Sequence, residues 1–198
     1  GDWSSDVCSS DLIQTMIEVE FLGTGTSTGV PQLGCECEVC KSADPRDKRL
    51  RCSAIVRTQG VSLLIDCGPD FRQQMLRASD LHLDALLITH SHYDHVGGMD
   101  DLRPYCREIP FPVYAQPNVV ADIKARIPYC FREHLYPGVP TFDMHPLAGE
   151  PFEVKGVRVE PLPVMHYKLP IFGYRIGNLA YITDAKTIPP STMARLQG

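Results

Sequence analysis

The sequence predicts a mixed α/β or α+β fold in a single domain, and three observations carry that expectation. Short apolar stretches with strand-like patterning alternate with a few helical ones. The longest strictly aliphatic run, Ala85-Leu86-Leu87-Ile88, is four residues, far short of the roughly 20 that a membrane span needs. Of 17 prolines, 12 fall between Pro104 and Pro170, which favours short strands and loops there over long helices.

The elements follow in order. Residues 16–22 alternate acidic and apolar positions (Ile17, Val19, Phe21), as a strand with one face on a core does. A glycine-rich loop, 23–29, comes next. Residues 53–58 and 61–66 read as two strands about the turn Gln59-Gly60. Residues 69–78 read as a helix, with proline near the start and Phe71, Met75 and Leu76 at helical spacing. Residues 84–89 form a buried strand. A short strand at 112–115 and a helix at 118–126 follow. Strands at 158–164, 172–176 and 179–183 complete the order, the last two joined by Gly177-Asn178, before a helix-like segment at 191–196.

Composition narrows the function. The chain is 43% hydrophobic and 22% charged, which suits a soluble globular fold. Its net charge of −5 provides no general basic field and argues against nucleic acid. The eight cysteines do not read as a disulfide framework: Cys35, Cys37 and Cys40 crowd into six residues and the others scatter. A reducing, cytoplasmic setting and a metal-binding role for the triplet are expected. Structural zinc takes four tetrahedral ligands, of which these thiolates supply three. Gly23-Thr24-Gly25-Thr26-Ser27-Thr28-Gly29 matches neither a Walker motif nor GxGxxG, so tight backbone packing is expected there. The basic stretch Lys41, Arg46, Lys48, Arg49 and Arg51 is interrupted by Asp44 and Asp47, and reads as a solvated loop.

The densest chemistry follows the strand at 84–89: His90-Ser91-His92-Tyr93-Asp94-His95. Four potential metal ligands occupy six positions. His90 and His92 project to one side in extended backbone. Asp94 and His95 can turn back toward the same point, so the set can hold two divalent ions. Imidazole and carboxylate suit zinc, manganese or iron. His166 and Asp184 sit at the ends of later strands, where ligands from different strands can converge. His82, His134 and His145 have no such company and read as surface or capping residues, while Tyr93 is placed at the border of the pocket.

His90-x-His92-x-Asp94-His95, then His166, then Asp184 resembles the metallo-β-lactamase fold superfamily. Residues 21–31 together with Cys35-x-Cys37-x-x-Cys40 look like its cyclic phosphodiesterase branch, which includes phosphoribosyl cyclic phosphate phosphodiesterase. The resemblance implies a four-layer αβ/βα sandwich with two divalent ions, Zn or Mn, at one edge of the facing sheets. His90, His92 and His166 would hold one ion, Asp94 and His95 the other, and Asp184 would bridge them. Asp94 and Asp184 are then the candidate catalytic carboxylates. A metal-bridging hydroxide would hydrolyse a cyclic nucleotide or cyclic sugar phosphate. The family also has a metal-binding histidine near its C-terminus and another that completes a structural zinc site with the cysteines. No histidine follows His166, so the domain, residues 16–198, is read as C-terminally incomplete.

Residues 6–12 resemble a translated sequencing adapter, and 1–15 are read as a non-native extension. The expected partner is a small-molecule phosphodiester substrate, with no membrane; a homodimer is left open. Two alternatives stand beside the phosphodiesterase. One is a non-enzymatic cofactor-biosynthesis protein of the same fold. The other is a hydrolase of thioesters, lactones, β-lactams or tRNA ends. The triplet generates one prediction: replacing Cys35, Cys37 and Cys40 by serine should remove one zinc per chain, and should lower stability more than it lowers activity per folded molecule. Elemental analysis and thermal unfolding check this.

Overall fold

Side-chain alternation along the strands decides which layer each face of the two sheets meets. The structure, a computed structural model, describes residues 16–197; the extension expected at 1–15 lies outside the described residues. The first sheet runs β1 (Glu18–Gly23), β2 (Ser53–Thr58), β3 (Val61–Ile65), β4 (Ala85–Leu87), β5 (Phe111–Ala115) and β6 (Phe142–Pro146) in spatial order. β1 to β3 pair antiparallel, and β3 to β6 pair parallel. The second sheet is antiparallel, ordered β10 (Leu179–Tyr181), β9 (Leu169–Ile176), β8 (Val157–His166) and β7 (Phe152–Val154). The α-helices among the described residues are α1 (Glu38–Lys41), α2 (Phe71–Met75), α3 (Tyr93–Val96), α4 (Pro117–Arg126) and α5 (Pro190–Leu196). None is long and apolar enough to cross a membrane.

Ile55, Leu64, Leu86 and Val113 point from the first sheet toward Phe71 and Met75 of α2 and Val119, Val120 and Ile123 of α4. The alternate residues, Ala54, Val56, Leu63, Ile65 and Leu87, meet Val159, Phe172, Tyr174 and Ile176 of the second sheet. That sheet's outer face buries Leu162, Val164 and Ile171. α5 lies on this side, with the buried Thr192 hydroxyl donating to the Pro163 carbonyl at 2.6 Å. The result is four layers: helices, sheet, sheet, helix. β3 and β4 are buried on both faces. Each such aliphatic side chain contributes about 1.5–3 kcal/mol, and a one-residue slip would reverse every one of them. The strand ends that carry the polar residues are therefore fixed in register.

The structure trims three sequence expectations and adds two strands. The helix expected over 69–78 is only Phe71–Met75: before it Asp70 accepts from the Arg51 N–H at 2.8 Å and its guanidinium at 2.9 Å, and after it the chain tightens into turns, with the Arg77 N–H on the Gln74 carbonyl and the Ala78 N–H on that of Met75. The strand expected over 84–89 pairs only over Ala85–Leu87. The strand expected to reach residue 183 ends at Tyr181, which frees Thr183 and Asp184. β6 and β7 were not expected: one ends in Pro146 and the other has three residues, so neither shows a clear period.

At the start of β4, Asp84 is buried. It accepts from the Ser62 N–H at 2.8 Å and from Lys155 at 2.5 Å, and His82 Nε2 lies 3.1 Å away. Burial raises its pKa, but the Lys155 and Ser62 hydrogen bonds outweigh it and hold the carboxyl below the usual range. A depressed folded pKa stabilises the fold above the unfolded value of about 3.9. That contribution is lost as pH falls through the folded value. Lys155 is 65% exposed, so Asp84→Asn is expected to cost only about 1–2 kcal/mol at pH 7. The gap to the parent should narrow below about pH 4; urea denaturation at pH 7 and at acid pH measures both.

Candidate metal centre

The candidate residues occupy the carboxyl ends of four strands. β3 runs into Asp66, β4 into Thr89 and His90, β8 ends on His166, and the chain leaving β10 carries Asp184. The second sheet grips the end of β4: the Tyr174 hydroxyl donates to the Ile88 carbonyl at 2.6 Å, and the Phe172 N–H to the Thr89 carbonyl at 3.1 Å. The loop after β3 is stitched to the histidine loop. The Cys67 N–H donates to the His95 carbonyl at 2.7 Å, and the Gly98 N–H to the Cys67 carbonyl at 2.9 Å. Gly68 and Gly98 permit that approach, since a Cβ at Gly68 would lie 2.0 Å from the Asp94 carbonyl oxygen, and one at Gly98 equally close to that of Gly68.

Asp66 is fully buried. Its carboxylate accepts from the Thr89 N–H and hydroxyl, both at 2.8 Å, and meets His95 Nδ1 at 2.7 Å. His95 Nε2 is thereby aimed at Asp184 Oδ2 and Asp94 Oδ2, each 3.2 Å away. His90 Nδ1 rests 3.0 Å from the Thr89 hydroxyl, and its Nε2 lies 3.0 Å from His92 Nδ1 and 3.6 Å from Asp184 Oδ2. The His166 ring stands 5.4 Å from that of His90 and 5.1 Å from that of His92. Asp66 and Asp184 both have left-handed backbone, φ 61° and 55°. Aspartate tolerates that region better than most residues.

Burial, reinforced by the charge of neighbouring His95, pulls the His90 pKa down to about 4, so this imidazole is neutral at pH 7. Burial would also lower His95, but the Asp66 charge and hydrogen bonds to Asp184 and Asp66 outweigh it and push His95 up to about 11. The His95 hydrogen bond, against the cost of burial, holds Asp184 well below the usual carboxylate range.

All six residues singled out in the sequence come together as two overlapping groups. Donor atoms of His90, His92, His166 and Asp184 lie within 4.8 Å of one another, as do those of Asp94, His95 and Asp184. The donor set fits divalent ions. A neutral, buried His90 offers a lone pair, and two carboxylates converge on His95 Nε2, where a cation would take the place of a proton. The Cys35, Cys37 and Cys40 sulfurs form a third group within the same 4.8 Å. The Cys40 N–H reaches Cys37 Sγ at 3.5 Å and the Gln32 N–H reaches Cys40 Sγ at 3.4 Å, and the Cys40 N–H pulls the Cys37 thiol pKa down. Against the Gln32 N–H, the neighbouring Cys35 and Cys37 push the Cys40 thiol up, and the clustering of three sulfurs suits three corners of a tetrahedral site.

Other residues stay apart. His145 stacks on Tyr114 and pairs with Asp143 at 2.8 Å. Lys41 pairs with Glu36, Arg46 with Asp44 and Arg51 with Asp70, so the basic stretch is engaged locally. The glycine loop packs on the backbone of 49–51: a Cβ at Gly25 would sit 2.7 Å from the Arg49 carbonyl oxygen. Sequence reasoning missed Asp66, Thr89, Gly68 and Gly98. The available signal was a charged residue directly ending the fully apolar strand Leu63-Leu64-Ile65.

Residues 62–198 match the beta-lactamase superfamily domain, and the chain belongs to that superfamily. Its fold is the metallo-β-lactamase sandwich. A diphosphatase of the PhnP family is similar in structure at TM-score 0.84 and 39% identity, over 92% of this chain and 71% of that one. Zinc-bound PqqB from Methylobacterium extorquens superposes at TM-score 0.74 and 26% identity, over 92% and 70%. An octanoyltransferase of Porphyromonas gingivalis is 52% identical over 170 residues, 85% of this chain. The chain spans 35% of that relative's length and 40% of that of a coenzyme PQQ synthesis protein B from Methylorubrum populi.

Asp66 generates the site's prediction. Asp66→Ala leaves His95 and Thr89 buried without their partner and should cost about 3–5 kcal/mol. Asp66→Asn should cost less while still weakening metal binding about 10–100-fold. Chemical denaturation and chelator competition separate the two effects.

Proposed function

We propose that the chain is a binuclear metal-dependent phosphodiesterase acting on cyclic nucleotides or cyclic sugar phosphates. The observation that carries this is the sharing of Asp184 between the His90–His92–His166 and Asp94–His95 groups. The likeness to a PhnP-family diphosphatase at TM-score 0.84 supports it. Two divalent ions, zinc or manganese, would neutralise charge on a phosphodiester and lower the pKa of water toward about 7. The chain's own residues do the positioning. Asp66 engages Nδ1 of His95 and so presents Nε2 to the site. Thr89 does the same for His90 through its hydroxyl. Asp184 Oδ2 faces both rings and is the group that joins the two positions. At the rim, exposed Tyr93 carries the Arg126 guanidinium 5.9 Å from its ring centre, and exposed Tyr167, next to His166, carries Lys168 at 5.6 Å. The two cations, held on aromatic faces, suit a small anionic substrate. A third ion, zinc, is assigned to Cys35, Cys37 and Cys40.

The second reading is a non-enzymatic role in cofactor biosynthesis, favoured by the zinc-bound PqqB likeness. One assay divides them. The chain loaded with Zn²⁺ or Mn²⁺ is offered bis-p-nitrophenyl phosphate and cyclic phosphodiesters, alongside a thioester, a lactone and a β-lactam. Diester hydrolysis is expected, falling by about 100-fold or more in Asp184→Ala and unchanged in His145→Ala. Turnover of carboxylic substrates alone would move the assignment to that hydrolase class, and turnover of none would favour the PqqB-like reading.

A further inference from the structure

Behind Asp184 lies a chain of hydrogen-bonding side chains that the site as described does not use. The Thr183 hydroxyl is 3.1 Å from Asp184 Oδ1 and 3.5 Å from the Cys52 sulfur, and that sulfur is 3.2 Å from the Tyr181 hydroxyl. Tyr181 is 7% exposed and packs in the core between the sheets, with Cys52 against the same cluster. Burial pushes the Tyr181 phenol well above its ordinary value, so it keeps its proton.

Proton counting orders the chain. Thr183 has one hydroxyl proton and two neighbours that could accept it. A carboxylate is the stronger acceptor, so the proton goes to Asp184 Oδ1. Thr183 has the donor geometry in both contacts, so with its proton on Asp184 the Cys52 sulfur backs that hydroxyl at 3.5 Å, and between Cys52 and Tyr181 either atom can donate. The Thr183 hydroxyl is the one member that donates to the carboxylate, and the Cys52 sulfur and Tyr181 phenol stand behind it. Oδ1 is thereby occupied, which leaves Oδ2 turned to His90 and His95. Cys52 directly precedes β2 of the first sheet and Tyr181 ends β10 of the second, so the relay ties the carboxylate to both.

We infer that Tyr181, Cys52 and Thr183 form a positioning relay that orients Asp184 for metal ligation, with Cys52 acting through Thr183. The inference rests on the metal-site reading above. Residues of this kind, which hold a ligand without touching the ion, typically account for 10–100-fold in metal affinity. The group with fewer other members, Asp94 and His95, depends most on how Asp184 is held.

The test titrates the full chain with Co²⁺, followed by its visible absorption, with chelator competition giving stepwise affinities. Thr183→Val should weaken the weaker step about 10–100-fold and shift its absorption envelope. Thr183→Ser keeps the hydroxyl and should restore both. Cys52→Ala should produce a smaller loss in the parent background and no further loss on top of Thr183→Val, because its effect passes through the missing hydroxyl. Thermal unfolding accompanies each variant, and Thr183→Ala replaces the valine variant if that fails to fold. Losses that add in the double variant, or variant affinities within about 3-fold of the parent, would overturn the relay and leave the metal site standing. A parent chain that binds no Co²⁺ at the histidines would overturn the metal-site reading and the relay together.

Discussion

The buried Asp66 carboxylate is the constraint around which the rest is arranged. It has no solvent to lean on, so every partner must come from the chain. Thr89 supplies two hydrogen bonds and His95 the third. Those partners lie at the ends of two other segments, so satisfying one carboxylate fixes where β4 stops and how the histidine loop turns. The orientation of His95 follows, and with it the place where Asp94 and Asp184 meet a ring nitrogen.

The architecture makes this convergence possible. Parallel pairing of β3 with β4 puts both carboxyl ends on the same edge of the sheet, the edge at which open α/β sheets hold their ligands. The second sheet brings the ends of β8 and β10 to that edge from the opposite layer. Apolar packing between the layers sets the distance, and two glycines allow the loops to close on each other with backbone in contact. Polar geometry at the rim is thus a product of aliphatic register in the interior.

Much of this was legible in the sequence. The spacing His90, His92, Asp94, His95 compresses four donors into one loop, which survives any error in strand boundaries. His166 and Asp184 were recognisable by their places at strand ends. Asp66 was not, because it reads as the last residue of the strand at 61–66, and nothing local marks a strand-end aspartate as buried. Its burial appears only once parallel pairing of β3 with β4 brings the Thr89 N–H and hydroxyl to its carboxylate. β6 and β7 escaped notice for a related reason: their identity comes from the strands beside them, and their own residues show little periodicity. The start of the helix expected from residue 69 is met by a tertiary contact, Arg51 on Asp70, that no local pattern encodes.

His95 and Asp184 are 89 positions apart in the chain yet meet across 3.2 Å. A ligand shared by both would close a loop of that size, and closing a long loop removes more freedom from the unfolded chain than closing a short one. Occupancy of the site would then act as a reversible staple between the two sheets. It would make the resistance of this domain to proteolysis depend on the free concentration of an ion, and so couple the lifetime of the protein in a cell to metal supply.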